Sequence, residues 1–427
     1  MPTRPLTGTV LTVVAAAVAV AVLAWAALVP GVAQAGAASA EPIRIGFLTS
    51  LTGVAAESGK DMADGFRLYL EQVNFRMAGR PVEFIVEDTG GVPANALTKA
   101  RKLVEQDRVH VLAGPLLANE GYAITDYVRQ QRIPWVLPVM SGDDITQRQL
   151  NPYVVRMGWA SSQITHPFGE YVYRELGYRR VATLGSDYAF SYEIVGGFQR
   201  TFEELGGRVV QKLWSPVGAP DFAPYLSSLR RDVDAVFVTM TGADVVRFMN
   251  QFNMFGLRRT LPLVGGPLMA DESLLRSMGD EAVGLLTSHF WAAGLDRPQA
   301  RRFVEAFRAR YNKIPSYYAE TCYDGAMWID RALQSIQGRV EDRQAFMEAL
   351  LKVRLEDAPR GPIALDEYHN SIQNVYIRRV VKRDGILWNE VIHTIPNVTQ
   401  FWKWSPQEFL AQPAYDRNFP PCRYCGQ

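Results

Sequence analysis

Glu41-Pro-Ile-Arg-Ile-Gly-Phe-Leu-Thr-Ser-Leu-Thr-Gly53 is the stretch from which the rest of the chain becomes readable. Residues 43–48 form a short apolar run that gives way to small polar residues and a glycine, the pattern of a strand buried on both faces. Met62, Phe66, Tyr69, Leu70, Val73 and Met77 then recur at helical spacing and predict one buried stripe before a second strand over 82–86. Ala96, Ala100, Leu103 and Val104 repeat the helical pattern ahead of a strand over 109–113. A helix over about 120–132 leads into Trp135-Val-Leu-Pro138. Strand and helix in strict alternation predict a parallel sheet covered on both faces.

The pattern restarts after Tyr153-Val-Val-Arg156. A helix over about 166–176, a strand over 181–184 and a helix carrying Ile194, Phe198, Phe202 and Leu205 come first. A strand over 209–213, a helix over about 222–231, a strand over 235–240, a helix to Phe255 and Leu261-Pro-Leu-Val-Gly265 complete a second set. Two helices follow, one with Phe303, Val304, Phe307 and Tyr311 on a face, the next beginning near Pro315-Ser316. The chain closes with strand-like segments over 375–381 and 391–392 and an aromatic tail. The expected fold class is α/β, with two doubly wound Rossmann-like lobes. In such open sheets ligands sit beyond the carboxyl ends of the strands, which directs attention to the loops there.

At 427 residues the chain exceeds one ordinary core, and a net charge of +1 with interspersed signs leaves no basic stripe for nucleic acid. Its first residues carry Arg4, an uncharged run over 10–29, Pro30-Gly31, and the small-residue sites Ala33-Gln34-Ala35 and Ala38-Ser39-Ala40. That layout predicts a secretory signal peptide over 1–40; a retained anchor is the alternative reading of the same apolar run. Of the three cysteines, Cys322 stands alone and Cys422 and Cys425 form a Cys-x-x-Cys in a proline-rich tail. A small local disulfide or two free thiols is expected there, rather than a redox centre or a metal site.

Catalytic patterns are missing. Gly53-Val-Ala-Ala-Glu-Ser-Gly59-Lys60 has one residue too many for a phosphate loop, and Asp61 stands where a hydroxyl should hold magnesium. There is no nucleophile elbow, no His-Glu-x-x-His and no dinucleotide fingerprint after the first strand. The histidines are scattered: His110 reads as a strand or sheet-edge residue and His166 as a helix cap before Pro167. Asp143-Asp144 reads as a solvated turn. No enzyme, cofactor or metal is expected.

From Glu41 to about Asn389 the chain resembles the type I periplasmic solute-binding proteins of ABC importers, in the branched-chain amino-acid-binding group. The matching segments are Ile45-Gly-Phe-Leu-Thr-Ser-Leu-Thr-Gly53, Glu87-Asp88, Val111-Leu-Ala-Gly-Pro115, Pro134-Trp-Val-Leu-Pro138, Asn151-Pro-Tyr-Val-Val-Arg156, Asp187-Tyr188 and Arg360-Gly-Pro362. The resemblance implies a hinged clamp outside the cytoplasm that delivers a small molecule to a membrane permease. It implies one lobe from 41–156 plus 288–369, a second from 157–287 plus 370–400, and an extension over 401–427. Closure would bury the ligand between the lobes and so shift the population toward the closed form.

In relatives a ligand carboxylate is held by hydroxyls and backbone N–H groups in two loops of the first lobe. The residues this brings forward are Ala118 (where a serine is usual) with Asn119 beside it, then Val139 and Ser141. Asn119 has a second reading as a helix cap and Ser141 as a turn residue. Around the rest of the cleft the resemblance points to Trp159, Tyr188, Thr241, Leu268 and Tyr318, with Phe190, Trp291 and Tyr323 as further aromatic candidates. Amino-acid binders carry an acid near the position of Leu268 to pair with the ligand ammonium. Leucine there disfavours an α-amino acid unless Asp271 or Asp244 reaches in, and the rings suit an aromatic carboxylate. A branched-chain amino-acid binder and a membrane-anchored ligand sensor remain the alternatives.

Overall fold

The computed structural model describes Met1, Pro2 and residues 41–426. Residues 3–40, which hold the apolar run and both small-residue sites of the expected signal peptide, lie outside the described residues.

The first sheet has six strands, β1 (Ile43–Thr49), β2 (Arg76–Met77), β3 (Arg80–Asp88), β4 (Val111–Ala113), β5 (Trp135–Val136) and β6 (Val154–Val155), in the order β2-β3-β1-β4-β5-β6. All neighbours are parallel except β2 and β3. Helices α1 (Ala56–Gln72), α2 (Pro93–Arg101) and α3 (Ala118–Gln131) make the connections. The stripe Met62, Phe66, Tyr69 and Leu70 is buried as its spacing requires. Met77 is a correction: α1 stops at Gln72, Asn74 and Phe75 turn with φ of 51° and 50°, and Met77 is buried from a hairpin strand instead.

The second sheet takes β7 (Arg180–Ser186), β8 (Arg208–Ser215), β9 (Ala235–Thr239), β10 (Leu263–Gly265), β11 (Leu286–His289), β12 (Ala364–Leu365), β13 (Ser371–Arg383) and β14 (Ile386–Val398). Its order is β12-β13-β11-β10-β9-β7-β8, with β14 on β13. The core from β11 to β8 is parallel, and β13 and β14 are antiparallel. Those last two strands run 13 residues each, well beyond the expected segments. Asp384 and Gly385, with φ of 50° and 77°, supply the two-residue turn that matches strand twist. Helices α4 (His166–Arg174), α5 (Ala189–Glu204), α6 (Ala223–Ser228), α7 (Ala243–Met254) and α8 (Glu272–Leu275) serve this sheet.

After β11 the chain returns to the first sheet through α9 (Pro298–Tyr311), α10 (Tyr317–Ser335) and α11 (Arg343–Lys352). The amino end of α10 lies directly on α1, because a Cβ at Gly65 would stand 1.9 Å from the carbonyl oxygen of Ala319. The strands of passage meet at Arg156, which bridges to Asn370. Arg156 N–H donates to the His369 carbonyl at 2.9 Å and Ser371 N–H to the Arg156 carbonyl at 3.0 Å. A short helix α12 (Pro406–Leu410) lies in the tail, which ends in a Cys422–Cys425 disulfide.

Candidate functional site

The loops beyond the strand ends of the two sheets face each other around a narrow cavity of about 20 Å³, space for roughly one water molecule. The first sheet contributes Leu116, Leu117 and Ala118 after β4, and Val139 and Ser141 after β5. Trp159 comes from the crossing segment, Tyr188 and Phe190 follow β7, Thr241 follows β9 and Leu268 follows β10. Tyr317 and Tyr318 open α10. A wider groove of about 510 Å³, bordered by Val54, Glu57 and Ser58 on one side and by Gly242, Arg247 and Arg276 on the other, lies next to it.

Four helices of 12 to 19 residues begin at this cavity: α3 at Ala118, α5 at Ala189, α7 at Ala243 and α10 at Tyr317. Each amino terminus carries a partial positive charge; at α10 and α3 some of the N–H groups are already taken, Tyr317 N–H by Asp271, Ala319 N–H by Ser316 Oγ and Glu120 N–H by Asn119 Oδ1. No charged side chain is among the described residues that line the cavity. The Ser161 hydroxyl donates to the Ser141 carbonyl at 3.0 Å, and its oxygen lies 2.9 Å from Ser141 Oγ, so the two side chains are paired beside the cavity.

The walls are aromatic. Trp159 stands edge-on to Phe190 (centroids 5.8 Å apart) and to Tyr317 (5.9 Å), while Tyr188 packs on Phe190 at 5.8 Å. Tyr317 and Tyr318 lie 3.9 Å apart between centroids. Trp159 Nε1 is a buried donor with no hydrogen-bond partner. Burial pushes the phenols of Tyr188, Tyr317 and Tyr318 above their ordinary values, so all three stay neutral donors at physiological pH.

Neither acid that could substitute for Leu268 reaches the cavity. Asp271 is fully buried beneath it, where Oδ1 accepts the Ser273 N–H at 3.0 Å and Oδ2 accepts the Tyr317 N–H at 3.4 Å. Burial, then the neighbouring Glu272, pushes its carboxyl up to about 7. Asp244 accepts the Gly218 N–H at 2.7 Å and pairs with Arg247 at 2.7 Å. Both are committed to structure.

Of the residues brought forward from sequence, Ala118, Val139, Ser141, Trp159, Tyr188, Thr241, Leu268 and Tyr318 line this cavity, with Phe190. Asn119 does not: it is exposed and sits inside the first turn of α3, where its Oδ1 accepts the N–H of the next residue, Glu120, at 3.1 Å; the cap position is Leu117, so the reading of Asn119 as a helix cap is not met either. Trp291 is core, edge-on to Phe303 at 5.8 Å, and Tyr323 donates to Gln72 at 2.7 Å away from the cavity. Tyr317, Leu116 and Leu117 were missed, although each adjoins a quoted segment. Two further readings are corrected. His166 caps nothing; it is fully buried with Nε2 3.0 Å from Tyr415 Oη. Asp143 is no solvated turn residue: it is buried, and its Oδ1 accepts the Ser162 N–H at 3.1 Å.

Two doubly wound lobes with a polar-rimmed, aromatic cavity at their boundary define a type I solute-binding fold. The chain matches the periplasmic binding protein family over residues 42–385 and belongs to it. It is 28% identical to a Leu/Ile/Val-binding protein homolog from Brucella melitensis over 84% of this chain and 93% of that one. An ABC transporter substrate-binding protein from Sphaerobacter thermophilus superposes with a TM-score of 0.80 at 36% identity, over 84% of this chain and 99% of the other. A solute-binding protein from Rhodopseudomonas palustris BisB5, solved with 3,4-dihydroxybenzoic acid, gives 0.80 at 30% identity over 84% and 98%. This chain is therefore of the substrate-binding class of ABC transporter proteins.

Proposed function

We propose that the protein captures an aromatic carboxylate between its lobes, outside the cytoplasm, and hands it unaltered to a membrane permease. The observation that carries this reading is a cavity served by four helix amino termini and the Ser141 and Thr241 hydroxyls, walled by rings, and free of any carboxylate. Ala118, Val139 and Ser141 are assigned to the carboxylate. Trp159, Tyr188, Phe190, Leu268 and Tyr318 are assigned to the ring and Thr241 to its polar substituent. An α-amino acid would bury its ammonium there without a partner, at a cost of about 3–5 kcal/mol. The Rhodopseudomonas relative's bound dihydroxybenzoate supports the same class.

A ring does not fit in about 20 Å³, so its admission requires the lobes to part. The proposed lobes are 41–156 with 288–369 and 157–287 with 370–400, moving about the crossings at Arg156 and Asn370. Closed contacts already join them: Tyr122 Oη donates to Glu193 at 3.0 Å, and Glu57 pairs with Arg276 at 3.2 Å. Calorimetry of the purified protein against benzoate, 4-hydroxybenzoate and 3,4-dihydroxybenzoate, and against leucine, isoleucine and valine, tests the reading. Micromolar binding, about −8 kcal/mol, is expected for an aromatic acid that is recovered chemically unchanged. Binding of leucine with no aromatic acid bound overturns it.

A further inference from the structure

The family match ends at residue 385, yet the chain continues as an ordered segment packed against both lobes. It leaves the crossing at Gln400, which accepts from Thr146 Oγ1 at 2.9 Å and donates to Asp366 at 2.9 Å. Arg148, in the first-lobe loop that follows Ser141, donates to the carbonyls of Phe409 at 3.3 Å and Gln412 at 2.6 Å. The segment then lies along α4 and α5 of the second lobe. The Arg200 guanidinium sits 3.5 Å from the Trp404 ring centre, and Tyr415 reaches His166. Tyr415 occupies a seat that only glycine provides, since a Cβ at Gly196 would stand 2.5 Å from its ring. Gln199 and Lys212 donate to the carbonyls of Pro421 at 3.0 Å and Pro420 at 2.8 Å.

Between those anchors, Arg417 pairs with both oxygens of Asp187, at 2.9 and 3.3 Å. Asp187 also accepts from Tyr192 Oη and immediately precedes the cavity residue Tyr188. One segment thus grips the loop after β5 and the loop after β7, the two that carry Ser141 and Tyr188.

We infer that the carboxy-terminal extension is a brace that holds these two loops in register, with Arg417 the positioning residue for Tyr188 and Phe190. The ligand role of the brace rests on the reading of the cavity as the binding site. An exposed ion pair alone contributes little, and the forked geometry and the seated Tyr415 are what make this one effective.

Two variants of the full chain test it. Gly196→Ala blocks the Tyr415 seat while improving helix propensity by about 1 kcal/mol, so the fold is kept. Arg417→Ala removes the grip on Asp187. In both, hydrogen exchange of 139–150 and 186–192 is expected to accelerate at least about fivefold, whether or not a ligand is present. Affinity for 4-hydroxybenzoate is expected to fall about three- to tenfold, with Arg417→Lys partly restoring it. Unchanged exchange in both variants overturns the brace. Faster exchange with wild-type affinity overturns its ligand role. Tyr188→Ala separates the two claims: wild-type affinity in that variant overturns the site reading itself and leaves the exchange result to judge the brace.

Discussion

Leu268 stands on the cavity wall with 4% of its surface exposed, between the rings and the strand end that places it. Its side chain is the residue-level reason to favour a carboxylate without an ammonium. Leu268→Asp would set a carboxylate into an apolar wall, repelling a ligand anion and offering an ammonium its missing partner. Binding of 4-hydroxybenzoate should fall by at least about tenfold, or 1.4 kcal/mol, while leucine gains measurable affinity in the same calorimeter. Equal aromatic binding in the variant would remove Leu268 from the ligand's surroundings. Ser141 works by a different principle: its hydroxyl is paired with that of Ser161 at 2.9 Å, which fixes its position beside the cavity.

Among the elements, the four helices that start at the cavity and the crossing at Arg156 bear most on function. Arg156 is fully buried and spends its guanidinium on the Asn370 side chain at 2.6 Å, on the Gly142 carbonyl and on Thr146 Oγ1. It therefore fixes the loop that follows Ser141 to the strand of passage between lobes. Arg156→Met keeps the bulk and removes the donors, leaving several buried acceptors unpaired. Destabilisation of about 3–5 kcal/mol is expected, seen by calorimetry as a midpoint lower by on the order of 4–6 °C. A midpoint unchanged from wild type would show that the crossing does not depend on this side chain.

Across the whole molecule, buried acids and buried histidines pull stability in opposite directions with pH. Burial pushes Asp271 up to about 7 and Asp143 up to about 6, and burial and then Asp143 hold Glu193 well above the carboxylate range. Such an acid holds its proton more tightly folded than unfolded. Its contribution is complete below an unfolded value of about 4 and is lost as pH rises through the folded value. Burial holds His166 and His289 well below the ordinary imidazole range, so their contribution is lost as pH falls below about 6.5. Above that pH the acid contributions change most, and Lys212, which burial lowers to about 8, opposes them only toward pH 8. The thermal midpoint is expected to fall from about pH 6.5 to pH 8; a midpoint that rises over that interval would mean these acids are ionised in the folded protein.

The alternation of apolar runs and helical stripes was legible in the chain because parallel strands buried on both faces leave continuous Val/Ile/Leu segments. The cavity was largely legible for a related reason: its residues follow strand ends, where the fold collects ligands whatever the chemistry. Local pattern failed where geometry over short distances mattered. Ala118 faces the cavity while Asn119 faces solvent, since adjacent helical residues point about 100° apart. It failed again where burial came from remote chain. His166 is enclosed by Tyr415 and Trp404, and Asp143 by the Ser162 backbone and Arg156, none of which a local window contains. Periodicity records which face of an element is covered; what covers it, and hence which polar groups lose their water, depends on contacts with segments 13 to 249 residues away, beyond any local repeat.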